Sequence, residues 1–290
     1  MHPGYINNFE STKVYDYLKN SDPCDVLLIF QHGLGDVIIF LSIFKRLKQD
    51  FPYHNIKIGA ETGRNYHLLL PDIFIPVDDN NKIDLKFKYV FQISYPEPQH
   101  HFKVENIQSD VKPYLCNLKE IGIPDFIWEP YLNNIYKPIE KTQTIGLNFN
   151  GNSCANLKNC NIIISRKIWN EVRQAGYRQF ELYIDYKYLL PSSKNRFELA
   201  DPKDTFRYKR SATLVDLAKK IMECKYVISI DSGTLYLAGF ILGYDKVIAL
   251  QSNKWYIPRY FPGALNIINI SDYRNGIIYE RIREYDARRK

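Results

Sequence analysis

The sequence predicts an α/β protein built from two doubly wound domains. Three observations predict it: short β-branched runs alternate with stretches of helical periodicity, the alternation occurs in two series, and a proline-containing segment without periodicity separates them. The chain has 290 residues, which is enough for two domains of about 140 residues each. Its 45% hydrophobic and 24% charged residues are typical of a folded globular protein and exclude a disordered one.

The first series begins with a strand that is apolar after its first residue, Asp25–Phe30, as expected of a strand covered on both faces of a parallel sheet. A helix follows at Asp36–Asp50, because Val37, Phe40, Leu41, Phe44 and Leu47 recur at helical spacing. The further elements expected in this series are strands at Asn55–Ile58 and Tyr89–Ile93 and a helix at Lys112–Ile121.

The segment Ile123–Thr144 carries three prolines and no clear period, and we interpret it as a linker. Strands are then expected at Thr144–Phe149, Phe180–Ile184, Tyr226–Ile230 and Lys246–Leu250, and helices at Lys167–Ala175, Leu214–Glu223, Gly233–Leu242 and Asn275–Arg289. We therefore predict an N-terminal domain at residues 1–139, a C-terminal domain at 140–274 and a closing helix at 275–290.

Composition also bears on location. The longest apolar stretches are far shorter than the ~20 residues of a membrane span, and the start of the chain lacks the pattern of a cleaved signal peptide. The five cysteines are odd in number and scattered, which indicates free thiols and disfavours a zinc site. We expect a cytoplasmic protein.

Charge is divided unevenly along the chain. Residues 1–139 hold 14 Lys and Arg against 17 Asp and Glu, whereas residues 140–290 hold 25 against 15. A basic second half favours an anionic partner such as a nucleotide, a nucleic acid or a membrane surface, although a solvated basic face explains the charge equally well. No recognised nucleic-acid motif is present, so we do not expect a nucleic-acid partner.

The first loop of interest is Gly33-Leu34-Gly35-Asp36, between a buried strand and a helix. It lacks the third glycine of a dinucleotide fingerprint and the Gly-Lys-Ser/Thr of a Walker loop. What remains is a glycine turn with an acid at the mouth of the sheet. Asp36 is either a reactive carboxylate or only the N-cap of the helix, and the local pattern leaves both open.

The second loop begins at Asp231 and opens an apolar helix. Backbone N–H groups at Gly233, Thr234 and Leu235 and the hydroxyls of Ser232 and Thr234 are suited to an anion at a helix N-terminus. Asp231 does not suit phosphate, so we assign it to capping or to ordering the turn. A capped helix without a ligand remains the alternative.

A third element, Lys167 to Trp169, is predicted to open the first helix of the second series. A lysine there can neutralise phosphate as a mobile charge. The alternative is a solvated Lys167 beside a core Trp169.

The three segments together resemble one family. GLGDVIIF at 33–40, the Lys167–Trp169 pair and VISIDSGTLYLAGFILG at 227–243 are similar, in order and spacing, to glycosyltransferase family 9, the ADP-heptose:lipopolysaccharide heptosyltransferases. The resemblance is best over residues 25–50 and 140–250. It implies a GT-B fold, in which two Rossmann-like domains face a central cleft and a closing helix returns to the N-terminal domain.

The resemblance also implies residue roles. Asp36 takes the place of the catalytic base, with Gly33, Leu34 and Gly35 as the acceptor-side loop, and Lys167 takes the place of the phosphate-contacting lysine. The donor-binding residues that it implies are Asp231, Ser232, Gly233, Thr234, Leu235 and Tyr236. This sequence departs from the family at Tyr236, where the family usually has His, and at Asn170, where a Pro often stands.

The implied activity is a metal-independent, inverting transfer of heptose or a related sugar from a nucleotide-diphosphate donor, with ADP expected as the nucleotide. The implied acceptor is a hydroxyl of lipopolysaccharide or another surface glycan, so we expect peripheral contact with the inner face of the cytoplasmic membrane. No cofactor and no metal are expected. Two alternatives stay open: a nucleotide-sugar epimerase or hydrolase of the same fold, and a non-catalytic nucleotide-sugar binder.

Overall fold

The computed structural model describes residues 14–30, 33–61, 66–77, 87–94, 114–117, 132, 135–139, 142–149, 160–184, 208–211, 213–252 and 266–288. The chain divides into two compact units. Unit 1 comprises Met1–Gly33 and Phe40–Ile127, and unit 2 comprises Leu34–Ile39 and Trp128–Lys290.

Unit 1 contains a five-stranded parallel sheet in the order β3-β2-β1-β4-β5. Its strands are β1 (Asp25–Ile29), β2 (Asn55–Glu61), β3 (Phe74–Val77), β4 (Tyr89–Ser94) and β5 (Tyr114–Asn117). The central strand β1 has a parallel neighbour on each side and is buried from Val26 to Ile29, as is typical of an interior strand of a parallel sheet. Parallel neighbours on both sides of the first strand make the unit doubly wound.

The helices that accompany this sheet are α1 (Val14–Lys19), α2 (Leu34–Asp50) and the short α3 (Tyr66–Leu69). The apolar face predicted for α2 is buried at every predicted position. The helix ends at Asp50, directly before Phe51 and Pro52, because the residue that precedes a proline is disfavoured in helical conformation.

Unit 2 contains a six-stranded parallel sheet in the order β11-β10-β9-β6-β7-β8. The strands are β6 (Thr144–Asn148), β7 (Arg178–Ile184), β8 (Tyr208–Ser211), β9 (Tyr226–Ile230), β10 (Val247–Gln251) and β11 (Ile267–Asn269). The helices are α4 (Ile162–Gln174), α5 (Leu214–Met222), α6 (Gly233–Leu242) and α7 (Ile277–Arg288), with 3₁₀ turns at Tyr244–Lys246 and Ile270–Asp272.

Helix α7 packs into the core of unit 2. Ile278 and Ile282 are buried in the same cluster as Trp169 of α4 and the β6 and β9 side chains. Glu171 of α4 accepts a hydrogen bond from the backbone N–H of Tyr279 at 2.9 Å, in the first turn of α7. These contacts show that α4 covers part of the buried face of α7 within unit 2. The return of the closing helix to the N-terminal domain stays a prediction.

Three tyrosine and lysine side chains bind the far end of α7. The carboxylate of Asp286 accepts hydrogen bonds from Tyr226 at 2.6 Å, Lys225 at 2.9 Å and Tyr177 at 3.4 Å. Desolvation acts to raise the pKa of Asp286, but these hydrogen bonds outweigh it and lower the pKa overall. Burial, together with the Asp286 carboxylate, raises the pKa of Tyr177 to about 12.

The alternating pattern of strands and helices was predicted well, but one predicted helix was wrong and the start of another was misplaced. The helix expected at Lys112–Ile121 is a strand where the structure describes it, at Tyr114–Asn117, because pairing with β4 outweighs a local helical pattern. The helix expected at Lys167 begins at Ile162, where Asn161 accepts a hydrogen bond from the N–H of Ile163 and caps it.

Within the residues that the structure describes, no helix is long and apolar enough to cross a membrane. Cys24, Cys160 and Cys224 are free thiols, as expected, whereas no side-chain position is described for Cys116 and Cys154 lies outside the described residues.

Candidate functional site

The order of the strands in the parallel sheet of unit 2 reverses between β6 and β9. Strands β7 and β8 lie to one side of β6, and β9, β10 and β11 lie to the other. Ligands of open α/β sheets bind at the carboxyl ends of the strands where the order reverses. Asn148 ends β6, Asp231 follows β9, and Asn148 lies opposite Ser229 in the parallel register. This end of the sheet is therefore the place where a ligand of unit 2 is expected.

The turn after β9 is organised by a buried carboxylate. Asp231 is 6% exposed, and its Oδ1 accepts a hydrogen bond of 2.9 Å from the hydroxyl of Tyr236 in α6. Ser232, not Asp231, is the N-cap residue, and its side chain makes no capping hydrogen bond. Of the two assignments considered for Asp231, ordering the turn agrees with this geometry.

The first turn of α6 presents backbone N–H groups that side-chain capping does not occupy. The first N–H groups of a helix have no partner within it, and the N-cap side chain of α6 supplies none. The N–H group of Leu235 donates to the carbonyl oxygen of Ser232 at 3.0 Å. The N–H groups of Gly233 and Thr234 are left at the N-terminal end of the helix without a partner among the described residues. Together with the helix dipole, such groups favour an anion.

Thr234 is buried beside the end of β6. The side-chain amide of Asn148 donates to Oγ1 of Thr234 at 2.9 Å and to the carbonyl oxygen of Leu182 at 3.2 Å. Sequence reasoning missed Asn148 as a member of this site. The available signal was a polar residue at the end of a buried strand, which is the position that faces a ligand in a parallel sheet.

The start of α2 belongs to unit 2 and lies against α6. A Cβ atom placed on Gly35 would lie 2.7 Å from Cδ2 of Tyr236, and one placed on Gly233 would lie 2.6 Å from Cβ of Leu34. Both glycines are thus required by close approach, and they bring the predicted acceptor-side loop next to the predicted donor-binding turn.

Asp36 lies in the first turn of α2. Gly33 is the N-cap residue of that helix, so the alternative in which Asp36 is only an N-cap is wrong. A carboxylate in the first turn of a helix is stabilised by the helix dipole. The role of Asp36 as a general base stays a prediction.

Lys167 lies on the exposed side of α4, in its second turn and not at its start. It lines a groove of about 580 Å³ together with Asn170, Glu171, Gln174, Gly276 and Tyr279. None of the described lining residues belongs to the turn 231–236, so a role for Lys167 at the phosphate remains a prediction. Trp169 is a core residue, as the alternative interpretation held.

Among the described residues, no group of three or more His, Cys, Asp and Glu side chains is arranged to hold a metal ion.

Comparison with solved structures identifies the fold. E. coli ADP-heptose lps heptosyltransferase II is similar with a TM-score of 0.58 at 11% identity, over 91% of this chain and 99% of that one. A glycosyl transferase of family 9 from Veillonella parvula DSM 2008 has a TM-score of 0.55 at 13% identity, over 96% and 93%. The fold is GT-B, as in the heptosyltransferases.

E. coli heptosyltransferase WaaC with ADP-2-deoxy-2-fluoro heptose is also similar, with a TM-score of 0.56 at 12% identity, over 90% of this chain and 99% of that one. No family model and no curated protein matches the sequence. The likeness is thus one of fold, which the three sequence segments had predicted.

Proposed function

We propose that the protein is an inverting glycosyltransferase that takes a sugar from a nucleotide-diphosphate donor. The observation that carries the proposal is the uncapped first turn of α6 at the switch point of the unit 2 sheet, with the start of α2 packed against it. The first turn of α6 supplies N–H groups for a diphosphate, and the start of α2 supplies the carboxylate of Asp36. The likeness to heptosyltransferase structures supports the same activity.

In the proposed reaction, Asp36 accepts the proton of an acceptor hydroxyl as its oxygen attacks the anomeric carbon of the donor sugar. The bond from that carbon to the diphosphate oxygen breaks on the opposite face, and its electron pair leaves with the diphosphate, so the configuration inverts. The N–H groups at Gly233 and Thr234 and the dipole of α6 stabilise the negative charge that develops on the diphosphate. No step of this scheme requires a metal ion.

We further propose ADP-heptose or a related ADP-sugar as donor and a hydroxyl of a surface glycan or glycolipid as acceptor. The solved neighbours include an enzyme in complex with ADP-D-beta-D-heptose, which supports an ADP-linked donor. A lipid-linked acceptor would bring the protein to the inner face of the cytoplasmic membrane.

The test is a transfer assay with ADP-heptose and ADP-glucose against extracted glycolipid, using the wild type and Asp36→Asn. We expect the variant to lose about 100-fold or more in transfer, since general bases contribute about 10²–10⁴-fold, and to retain donor binding. Full transfer by the variant would remove Asp36 from this role. Proton NMR of donor with enzyme alone separates a transferase from an epimerase or hydrolase, because only the latter two change the donor without an acceptor.

A further inference from the structure

A buried amide oxygen at the carboxyl end of β6 has no hydrogen-bond partner among the residues that the structure describes. It is Oδ1 of Asn148, a residue that is 5% exposed. Both hydrogens of the same amide are engaged, by the carbonyl oxygen of Leu182 and by Oγ1 of Thr234. A carbonyl oxygen only accepts, so the amide cannot be turned over without losing the first of these bonds. Asn148 is therefore held with its oxygen as an unused acceptor, which buried polar groups seldom are.

Thr234 provides the complementary group. Because its oxygen accepts from Asn148, its own O–H proton remains available to donate, and the described residues offer no acceptor for that proton. Thr234 is 6% exposed and lies in the first turn of α6. The site thus holds an unused acceptor and an unused donor that are joined through one hydrogen bond, beside N–H groups suited to an anion.

This pairing distinguishes between parts of a ligand. A phosphate oxygen only accepts hydrogen bonds, so it suits the Thr234 hydroxyl and the backbone N–H groups but not the amide oxygen of Asn148. An alcohol both donates and accepts, so a single hydroxyl can satisfy Asn148 and Thr234 together. We infer that Asn148 and Thr234 bind a sugar hydroxyl of the ligand next to the diphosphate. The inference rests on the proposed function and adds a specificity-determining residue to it.

A sugar hydroxyl has two sources in a nucleotide-diphosphate sugar, the ribose and the transferred sugar. We would measure binding of pyrophosphate, ADP and ADP-glucose by calorimetry to the wild type, Thr234→Val, Thr234→Ser and Asn148→Ala. Thr234→Val and Asn148→Ala should weaken ADP and ADP-glucose about tenfold if the hydroxyl is on the ribose, the effect of roughly one hydrogen bond. They should weaken ADP-glucose alone if it is on the transferred sugar. In both cases pyrophosphate binding should be unchanged, and Thr234→Ser should bind like the wild type.

Asn148 also holds the Leu182 carbonyl, so thermal unfolding is measured for each variant; if Asn148→Ala does not fold, the Thr234→Val and Thr234→Ser pair decides. The inference is overturned if the folded variants bind all three ligands like the wild type, which would leave a water as the partner of Asn148, or if they weaken pyrophosphate equally. A wild type that binds none of the three overturns the proposed function, and the inference with it. The two failures are thereby distinguished.

Discussion

The hydroxyl of Tyr236 donates a 2.9 Å hydrogen bond to the buried carboxylate of Asp231, five residues earlier in the chain. The ring of the same tyrosine fills the space next to Gly35 at the start of α2. Tyr236 is 5% exposed, so this buried side chain, which stands where the resembled family usually has His, packs between the turn at Asp231 and the start of α2. It links the orientation of Asp231 to the position of α2.

Tyr236→Phe tests the polar half of this contact. The variant keeps the ring but removes a donor to a buried carboxylate, so we expect a loss of about 1–3 kcal/mol in the free energy of unfolding. Urea denaturation measures it. Asp231→Asn provides the matched comparison, and in a double-mutant cycle the two losses should be less than additive. Fully additive losses would show that the hydrogen bond contributes nothing.

Gly35→Ala tests the packing of the Tyr236 ring against the start of α2. The new methyl would lie 2.7 Å from the tyrosine ring, closer than real Cβ contacts, so we expect a destabilisation of about 1–3 kcal/mol from overpacking. Because Tyr236→Ala removes the ring, the same Gly35→Ala change should cost much less in that background. If Gly35→Ala destabilises both backgrounds equally, the loss of stability comes from the backbone of α2 and not from a clash with Tyr236.

Asp286→Asn tests the attachment of α7 through the dependence of stability on pH. Because the folded-state pKa of Asp286 is lowered, its stabilisation is complete above the ordinary value of 3.8 and is lost as pH falls through the lower folded-state value. We expect the variant to be about 1 kcal/mol less stable at pH 7, a modest figure because the side chain is partly exposed to solvent. The difference from wild type should shrink below about pH 4. A difference that does not change with pH would contradict this account.

Lys167→Ala tests the residue role that the family resemblance implies and the structure leaves as a prediction. If the ammonium reaches the diphosphate as a mobile charge, ADP should bind about tenfold more weakly, and the difference should decrease with added salt. Lys219→Ala, an exposed lysine on α5, is the matched control and should bind ADP like the wild type. If Lys167→Ala binds ADP as tightly as the wild type does, Lys167 does not contact the diphosphate and is only a lining residue of the groove beside Tyr279.

Buried, β-branched runs and glycine turns made most of the fold predictable. Strand β9 and helix α6 have the bounds expected, because a fully apolar strand followed by a glycine turn and an apolar helix admits few other structures. The start of α4 was misplaced because its first turn reads as a β-branched run, and only the cap at Asn161 marks the helix. Short edge strands such as β3 and β11 depend on pairing with neighbours distant in sequence, which no local pattern reveals.

The candidate site was predictable to a different degree. The turns at 33–36 and 231–236 stand out as glycine-containing loops after apolar strands, so they could be found from local pattern. The Tyr236 to Asp231 bond and the Asn148 to Thr234 bond could not, because each depends on side-chain directions set by the folded sheet. Asn148 and Thr234 are distant in sequence and come within hydrogen-bond distance because β6, which ends at Asn148, pairs with β9, which precedes α6.

Because Ile278 and Ile282 of α7 complete the core beneath β6 and β9, that core stays open until the chain has been synthesised through this helix. During translation the earlier strands therefore expose apolar surface until α7 has been made, and chaperones bind such surface. A chain that stops shortly before residue 277 would lack both side chains, so we expect its exposed apolar surface to promote aggregation.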